Sequence, residues 1–386
     1  MKLFRNCNVY APQVLGRKDV LIAGKSIVAI ADRIDAPIGI PCEIINADGL
    51  TLIPGLIDGH VHIAGAGGEG GAATRTPELQ ISQMVEGGVT TVIGCLGTDG
   101  FTRNIEAVLM KAKGIRAEGL SSWIYTGSYQ IPTPTLTGEV GRDIALIEEV
   151  IGVGEIAISD HRSSYPTTDE LIRLTEHARV GGMLGGKAGI INIHLGDAQN
   201  PFAPLYAVVE RTMLKLIQFL PTHCNRNDYT LIDAIEYAKK GGYIDITTSS
   251  YPYFPEYETK PSKALVQCLE AGVKPENITF SSDACGSLPG FDENGNLIKL
   301  EMGLPSSNFR ELMDCVYTEG MTLDKALPVL TSNSADILKL KNKGRIEPGK
   351  DADIVLLDGK NIVHVIGNGT FFMKDGKIVK KGSYEN

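Results

Sequence analysis

Four histidines and one aspartate are placed where hydrolytic metal chemistry would need them. His60-Val61-His62 follows an apolar run, and because side chains alternate along a strand, the two imidazoles at i and i+2 share a face and can grip one ion. His194 closes the run INIHLG, His223 closes LPTHCN, and Asp283 stands in TFSSDACG, each at the end of a short apolar stretch. Imidazole and carboxylate are ligands that Zn²⁺ favours, and an open position on such an ion can hold a water whose pKa falls to about 7. A bare H-x-H is more often a pair of core or surface histidines than a ligand pair, so the reading rests on the other three residues occupying equivalent positions. The remaining histidines, His161, His177 and His364, do not share that pattern and read as structural or exposed.

The elements that must position these groups repeat. Between about residue 52 and residue 284, eight apolar or β-branched runs recur: LIPGLIDGHVHI, VTTVIGCL, SSWIYTGSY, GEIAISD, GIINIHLG, FLPTHCN, YIDITTSSY and ITFSSDACG. Segments of helical period such as TRNIEAVLMKAKGIRAEG and YTLIDAIEYAKKGG lie between them. Eight β/α repeats predict an α/β fold, a (β/α)8 TIM barrel, whose strands are buried on both sides and whose C-terminal rim carries the active site. Residues 1–51 and 341–386 instead alternate in short strands divided by AGKS, PGKDAD, LDGK and KDGK, which predicts a small β-sandwich domain built from both termini, with the barrel spanning 52–340.

Bulk properties narrow the partners. A net charge of -9 without any basic run argues against nucleic acid or an anionic membrane surface, which leaves small-molecule chemistry. No apolar stretch approaches the roughly 20 residues needed to cross a bilayer, and MKLFRNCNVYAP breaks into polar residues and Pro before a signal-peptide core forms, so a cytoplasmic location is expected. The seven cysteines are scattered without a C-x-x-C pair and read as reduced thiols, mostly core filler.

PGLIDGHVH, the histidines ending the fifth and sixth runs and the aspartate ending the eighth resemble the amidohydrolase superfamily. The stretches GGEGGAATRTPE, LGTDG, TGSYQIPTPTLTG, AISDHRSS, GGKAGIINIHLGD, LPTHCNRN and SSDACGSLPGFD resemble the isoaspartyl dipeptidases over nearly the whole chain. The resemblance implies hydrolysis of β-aspartyl dipeptides by a centre of two Zn²⁺ ions per chain. His60 and His62 would bind one ion and His194 and His223 the other, while Asp283 would bind the first ion and act as general base. It also implies a homo-oligomer. A substrate with one ammonium and two carboxylates needs fixed opposite charges, and by resemblance Glu69 takes the ammonium while Arg162 and Arg226 take carboxylates. Gly67, Gly68, Thr98 and Ser287 would line the pocket, and Tyr129 would hydrogen-bond the carbonyl oxygen as negative charge develops on it.

One position departs from that pattern. The family has a lysine before AISDHRS, carboxylated so that its carbamate bridges the metals; here the residue is Glu155. Its side chain is three bonds shorter, a deficit of about 3–4 Å, and the strand must shift to offset it, which the preceding Gly154 could permit. Three outcomes follow: Glu155 bridges two zinc ions, the site holds one ion strongly, or it is impaired or repurposed. Rival functions are an amidohydrolase for cyclic amides, of the dihydroorotase or hydantoinase type, and a non-catalytic degenerate barrel.

Overall fold

The computed structural model describes every residue except Glu293, Gly295 and Asn386, so two positions inside the expected barrel segment and the last residue of the expected terminal segment lie outside the described residues. Eight parallel strands run in chain order: Leu56–Val61, Val89–Gly94, Ser121–Thr126, Val150–Ile158, Ile190–Leu195, Phe219–Thr222, Ile244–Thr247 and Ile278–Ser281. The first six pair consecutively, and the seventh pairs with the eighth. The ring is linked at its remaining seams through the amide of Cys224 donating to Asp245 O (3.1 Å), and through Asp283 N to His60 O (3.1 Å) and His62 N to Ala284 O (2.9 Å). Every residue of these strands is buried except Trp123, which is why the runs look apolar throughout instead of alternating.

The intervening helices begin and end where the sequence provides caps. Asn104 accepts the amide of Ala107 at the start of Ile105–Glu118, and Gly119 closes that helix with a φ of 107°. Thr167 and Glu170 form a reciprocal capping box ahead of Thr168–Gly185, and Asn227 caps Asp228–Lys239.

Both termini meet in one nine-stranded sheet, joined where Thr51–Pro54 pairs antiparallel with Ile354–Asp358. The two faces of the sandwich come from this single sheet folding over, since Phe4 and Phe371, on strands that are not neighbours, lie with ring centroids 6.3 Å apart. Phe4, Val20, Ile22, Leu52, Ile354 and Ile366 fill its interior. Thr51–Pro54 continues through Gly55 into the first barrel strand, so the terminal sheet anchors the strand that carries His60. At the N-terminal end of the barrel strands, beside that junction, the buried Lys343 ammonium bonds Asp353 (2.6 Å), Asp351 (2.8 Å) and Ser121 Oγ (2.7 Å), tying the sheet to the start of the third barrel strand.

An antiparallel hairpin, Ser287–Phe291 with Leu297–Met302, follows the eighth strand. It was not among the elements expected from the sequence, although the alternation in LIKLEM is its signal.

Candidate active site

Glu155 stands at the centre of the barrel mouth. Its Oε2 lies 2.9 Å from His194 Nδ1, 3.3 Å from His60 Nε2 and 3.3 Å from His223 Nε2, and its Oε1 is 3.8 Å from His62 Nε2. Asp283 Oδ1 completes the group, 3.0 Å from His62 Nε2 and 3.6 Å from His60 Nε2. The four histidines and Asp283 that end apolar runs are thus brought together with Glu155, all of them buried.

The backbone is built to reach this arrangement. The ladder between the fourth and fifth strands slips by one residue, with Ile191 opposite Val153 but Ile193 opposite Ile156, so the extra residue of the bulge falls at Gly154-Glu155. Gly154 has a φ of 152°, and a Cβ there would stand 2.7 Å from Asn192 O, so only glycine fits. His223 and Asp283 also adopt positive φ, 64° and 53°, which non-glycine residues hold at a cost of about 1–3 kcal/mol each.

Three imidazoles are fixed from behind. His60 Nδ1 donates to Asn192 Oδ1 (2.9 Å), His194 Nε2 to Asp160 Oδ2 (2.9 Å), and His223 Nδ1 pairs with Thr247 Oγ1 (2.7 Å). In each case the other ring nitrogen faces Glu155, the arrangement that outer partners impose on metal-binding histidines. Although imidazole nitrogens surround them, Glu155 Oε1 and Asp283 Oδ1 make no aligned hydrogen bond among the described residues. Buried carboxylate oxygens without a donor are costly, and a divalent cation is the partner that the donor set fits. Two groups of ligand atoms lie within 4.8 Å of one another: His60, His62, Cys95 and Glu155, and Glu155, His194 and His223. Burial alone would raise the Glu155 carboxyl, but the imidazoles override it and hold the group well below the usual carboxylate range. Burial pushes His223 down to about 4, leaving it a neutral donor.

A cavity of 480 Å³ opens directly onto these groups. Gly67, Glu69, Thr98, Tyr129, Arg162, Arg226 and Ser287 all line it; Gly68, expected beside them, does not, because its amide turns away to bond Thr74 O at 3.2 Å. Tyr129 OH lies 2.8 Å from His194 Nδ1, and burial raises its phenol well above the ordinary value, so it keeps its proton. Arg162 forks onto Asp160, with Nε to Oδ1 at 3.0 Å and Nη2 to Oδ2 at 2.9 Å, and stacks over the Tyr129 ring. Arg226 pairs with Asp197 at 2.6 Å, while Glu69 accepts from Ser287 Oγ at 2.9 Å and lies 3.7 Å from Arg162. Each guanidinium is therefore held in place by a carboxylate of its own. His161, read as exposed, sits at the cavity rim with its side chain 76% exposed, while His177 lies within a helix and His364 in the terminal sheet.

Sequence reasoning missed several groups that the fold brings in. Cys95 touches the histidine pair. Glu258 and Tyr257, from the loop after the seventh strand, and Asn225 line the cavity. For Cys95 the usable signal was its position immediately after the second strand, the same rim position as the other candidates.

Comparison with known proteins identifies the family. The amidohydrolase family profile matches residues 51–184 and 188–382. Among curated proteins, the chain is 23% identical to a dihydroorotase of Lactobacillus gasseri over 92% of this chain and 88% of the relative, and 24% identical to an allantoinase of Escherichia coli over 91% and 84%. Among solved structures, a β-aspartyl dipeptidase of the keratin-degrading thermophile Fervidobacterium islandicum AW-1, in complex with β-Asp-Leu, superposes with a TM-score of 0.91 at 45% identity, covering 98% of both chains. A second structure of a β-aspartyl dipeptidase from that organism gives 0.89 at 42%, again over 98% of both. The chain belongs to the amidohydrolase family.

Proposed function

We propose that the protein is a β-aspartyl dipeptidase that works with two Zn²⁺ ions per chain, which Glu155 would help to hold as a member of both groups of ligands. The observation that carries this reading is the continuity of one cavity from the Glu155 cluster to Glu69, Arg162 and Arg226, which together offer the charges a β-aspartyl dipeptide requires. The likeness to the Fervidobacterium enzyme, whose structure holds β-Asp-Leu, supports the same substrate.

When bound, a divalent cation among these ligands polarises an amide carbonyl and makes hydroxide available at neutral pH. The chain's own residues supply the rest. His60, His62 and Asp283 would hold one ion, His194 and His223 the other, and Glu155 would contribute to both. Arg162 and Arg226, oriented by Asp160 and Asp197, bind the two carboxylates, and Glu69 binds the ammonium, fixing the side-chain amide against the cluster. Gly67 and Thr98 shape the wall, and Ser287 steadies Glu69. Tyr129, protonated at neutral pH, donates to the carbonyl oxygen as charge builds there. Asp283, kept anionic, takes the proton of the attacking water and passes it to the leaving amine.

The test is hydrolysis of β-Asp-Leu beside α-Asp-Leu and dihydroorotate by zinc-reconstituted protein, with metal stoichiometry on the same sample. Cleavage confined to the β isomer, with nearly two ions per chain, is expected. Turnover of dihydroorotate alone would move the function to the cyclic amides, and a chain that binds no metal would return it to the non-catalytic reading.

A further inference from the structure

Cys95 follows the second barrel strand and is completely buried. Its main chain is fixed on both sides: its amide donates to Val61 O at 3.0 Å, and the carbonyl of the next residue, Leu96, accepts from Glu155 N at 3.4 Å. The thiol is therefore locked between the strand that carries His60 and the one that carries Glu155. Gly97 keeps this segment close, since a Cβ there would stand 2.7 Å from His62 Cε1 and 3.4 Å from Glu155 Oε1. Cys95 Sγ lies 3.6 Å from His60 Nε2 and 3.8 Å from His62 Nδ1.

The separation from His60 has a simple metrical meaning. Zn–N bonds of about 2.0–2.1 Å and a Zn–S bond of about 2.3 Å, set at the tetrahedral angle, place nitrogen and sulfur about 3.6 Å apart. The sulfur thus sits at the distance expected for a ligand sharing an ion with His60. Glu155 belongs to the same group, and its Oε1, buried and without a hydrogen bond, points independently to a cation. Among the described residues no other cysteine joins such a group.

We propose that Cys95 is a ligand of the ion held by His60 and His62, adding a thiolate to the imidazoles and carboxylates of the centre. The inference rests on the reading of this cluster as a metal centre. On binding, the S–H bond breaks, sulfur donates its electron pair to the cation and the proton leaves to solvent. The thiolate supplies a third anionic donor beside Glu155 and Asp283 and makes this half of the centre softer than the His194/His223 half. It should therefore favour zinc over magnesium or manganese.

X-ray absorption at the zinc edge, on the full-length zinc-loaded chain, decides the matter. A sulfur scatterer at about 2.3 Å supports the proposal, and a shell of nitrogen and oxygen alone overturns it. With Co²⁺ in place of zinc, the wild type should show a near-ultraviolet sulfur-to-cobalt charge-transfer band that Cys95→Ser lacks, and that variant should lose one ion to a chelator before the wild type does. A band that persists in Cys95→Ser would assign the sulfur elsewhere and overturn the proposal. If Cys95→Ser fails to fold, the wild-type absorption spectrum still decides. Metal bound without sulfur removes only the Cys95 assignment, whereas a wild type that binds no metal removes the metal-centre reading as well.

Discussion

Two pairs of buried carboxylates in the barrel are treated differently. Asp58 and Asp245 lie within the strands, and hydroxyls surround them: Asp245 accepts from Thr222 (2.7 Å), Thr279 (2.6 Å) and Ser281, and Asp58 from the amide (2.9 Å) and hydroxyl of Ser282. Glu155 and Asp283, at the rim, each keep one oxygen without a hydrogen bond and face imidazoles instead. Their ionisation follows the surroundings. Burial pushes the Asp58 carboxyl up to about 7 and raises Asp245, whereas at the rim burial is outweighed by the histidines and both carboxyls fall below the usual range. A buried carboxylate whose oxygens are all satisfied serves the fold. One with an oxygen left over, among ligands fixed from behind, is shaped for a cation.

The largest effect should come from breaking the rim pair. Glu155→Ala is expected to lower kcat/KM for β-Asp-Leu by about 10³-fold or more, the equivalent of the several kcal/mol a metal centre contributes, and to lose metal. Steady-state kinetics with metal analysis on one sample checks this. Full activity with full metal content would erase the distinction between the pairs. A smaller effect is expected one bond further out. Thr247→Val removes the partner of His223 Nδ1 with little change of shape, and should cost about 10–100-fold in metal affinity, read by competition with a chromophoric chelator.

The same contrast explains what the sequence could disclose. The barrel strands were legible because burial on both faces makes them apolar throughout, and helices such as Ile105–Glu118 and Asp228–Lys239 because their apolar residues recur with helical period. The turns AGKS, LDGK and KDGK mark three hairpins of the terminal sheet. His60, His62, His194, His223 and Asp283 stood out because each is a polar residue ending an apolar run. Cys95 did not, since a thiol counts as a small apolar side chain in any composition argument, and its nearness to His60 exists only through the pairing of the first two strands. The bulge at Gly154-Glu155 is likewise a property of register between strands, which one sequence does not display, although the short side chain of Glu155 required some such shift. Glu258 was missed because its approach to the cavity depends on the path of the loop after the seventh strand.

Within the barrel, Asp245→Asn should have the opposite signature to Glu155→Ala. It places an amide where three hydroxyls donate, so stability is expected to fall by about 1–3 kcal/mol in urea unfolding of the metal-free chain, with metal content retained after reconstitution. Loss of metal would mean that the strand interior and the rim are one network and not two.

Glu258 lies between the two classes and gives the most discriminating effect. It is partly buried, accepts from Ser250 Oγ at 2.6 Å, and faces the positive charge of Arg226 and the negative charges of Asp283 and Asp197. Burial dominates and pushes its carboxyl up to about 7. A folded-state value above the unfolded one of about 4.3 means the native chain holds this proton more tightly, so its contribution to stability is complete below pH ~4.3 and is lost as pH rises through the folded value. Glu258→Gln keeps the neutral shape at every pH. The wild type should therefore lose stability relative to this variant between pH about 4 and about 7, seen as diverging urea midpoints of the metal-free proteins. A difference independent of pH would show that Glu258 is already ionised at the acid end, held by Arg226 as Glu155 is held by its histidines, and would place it with the rim pair.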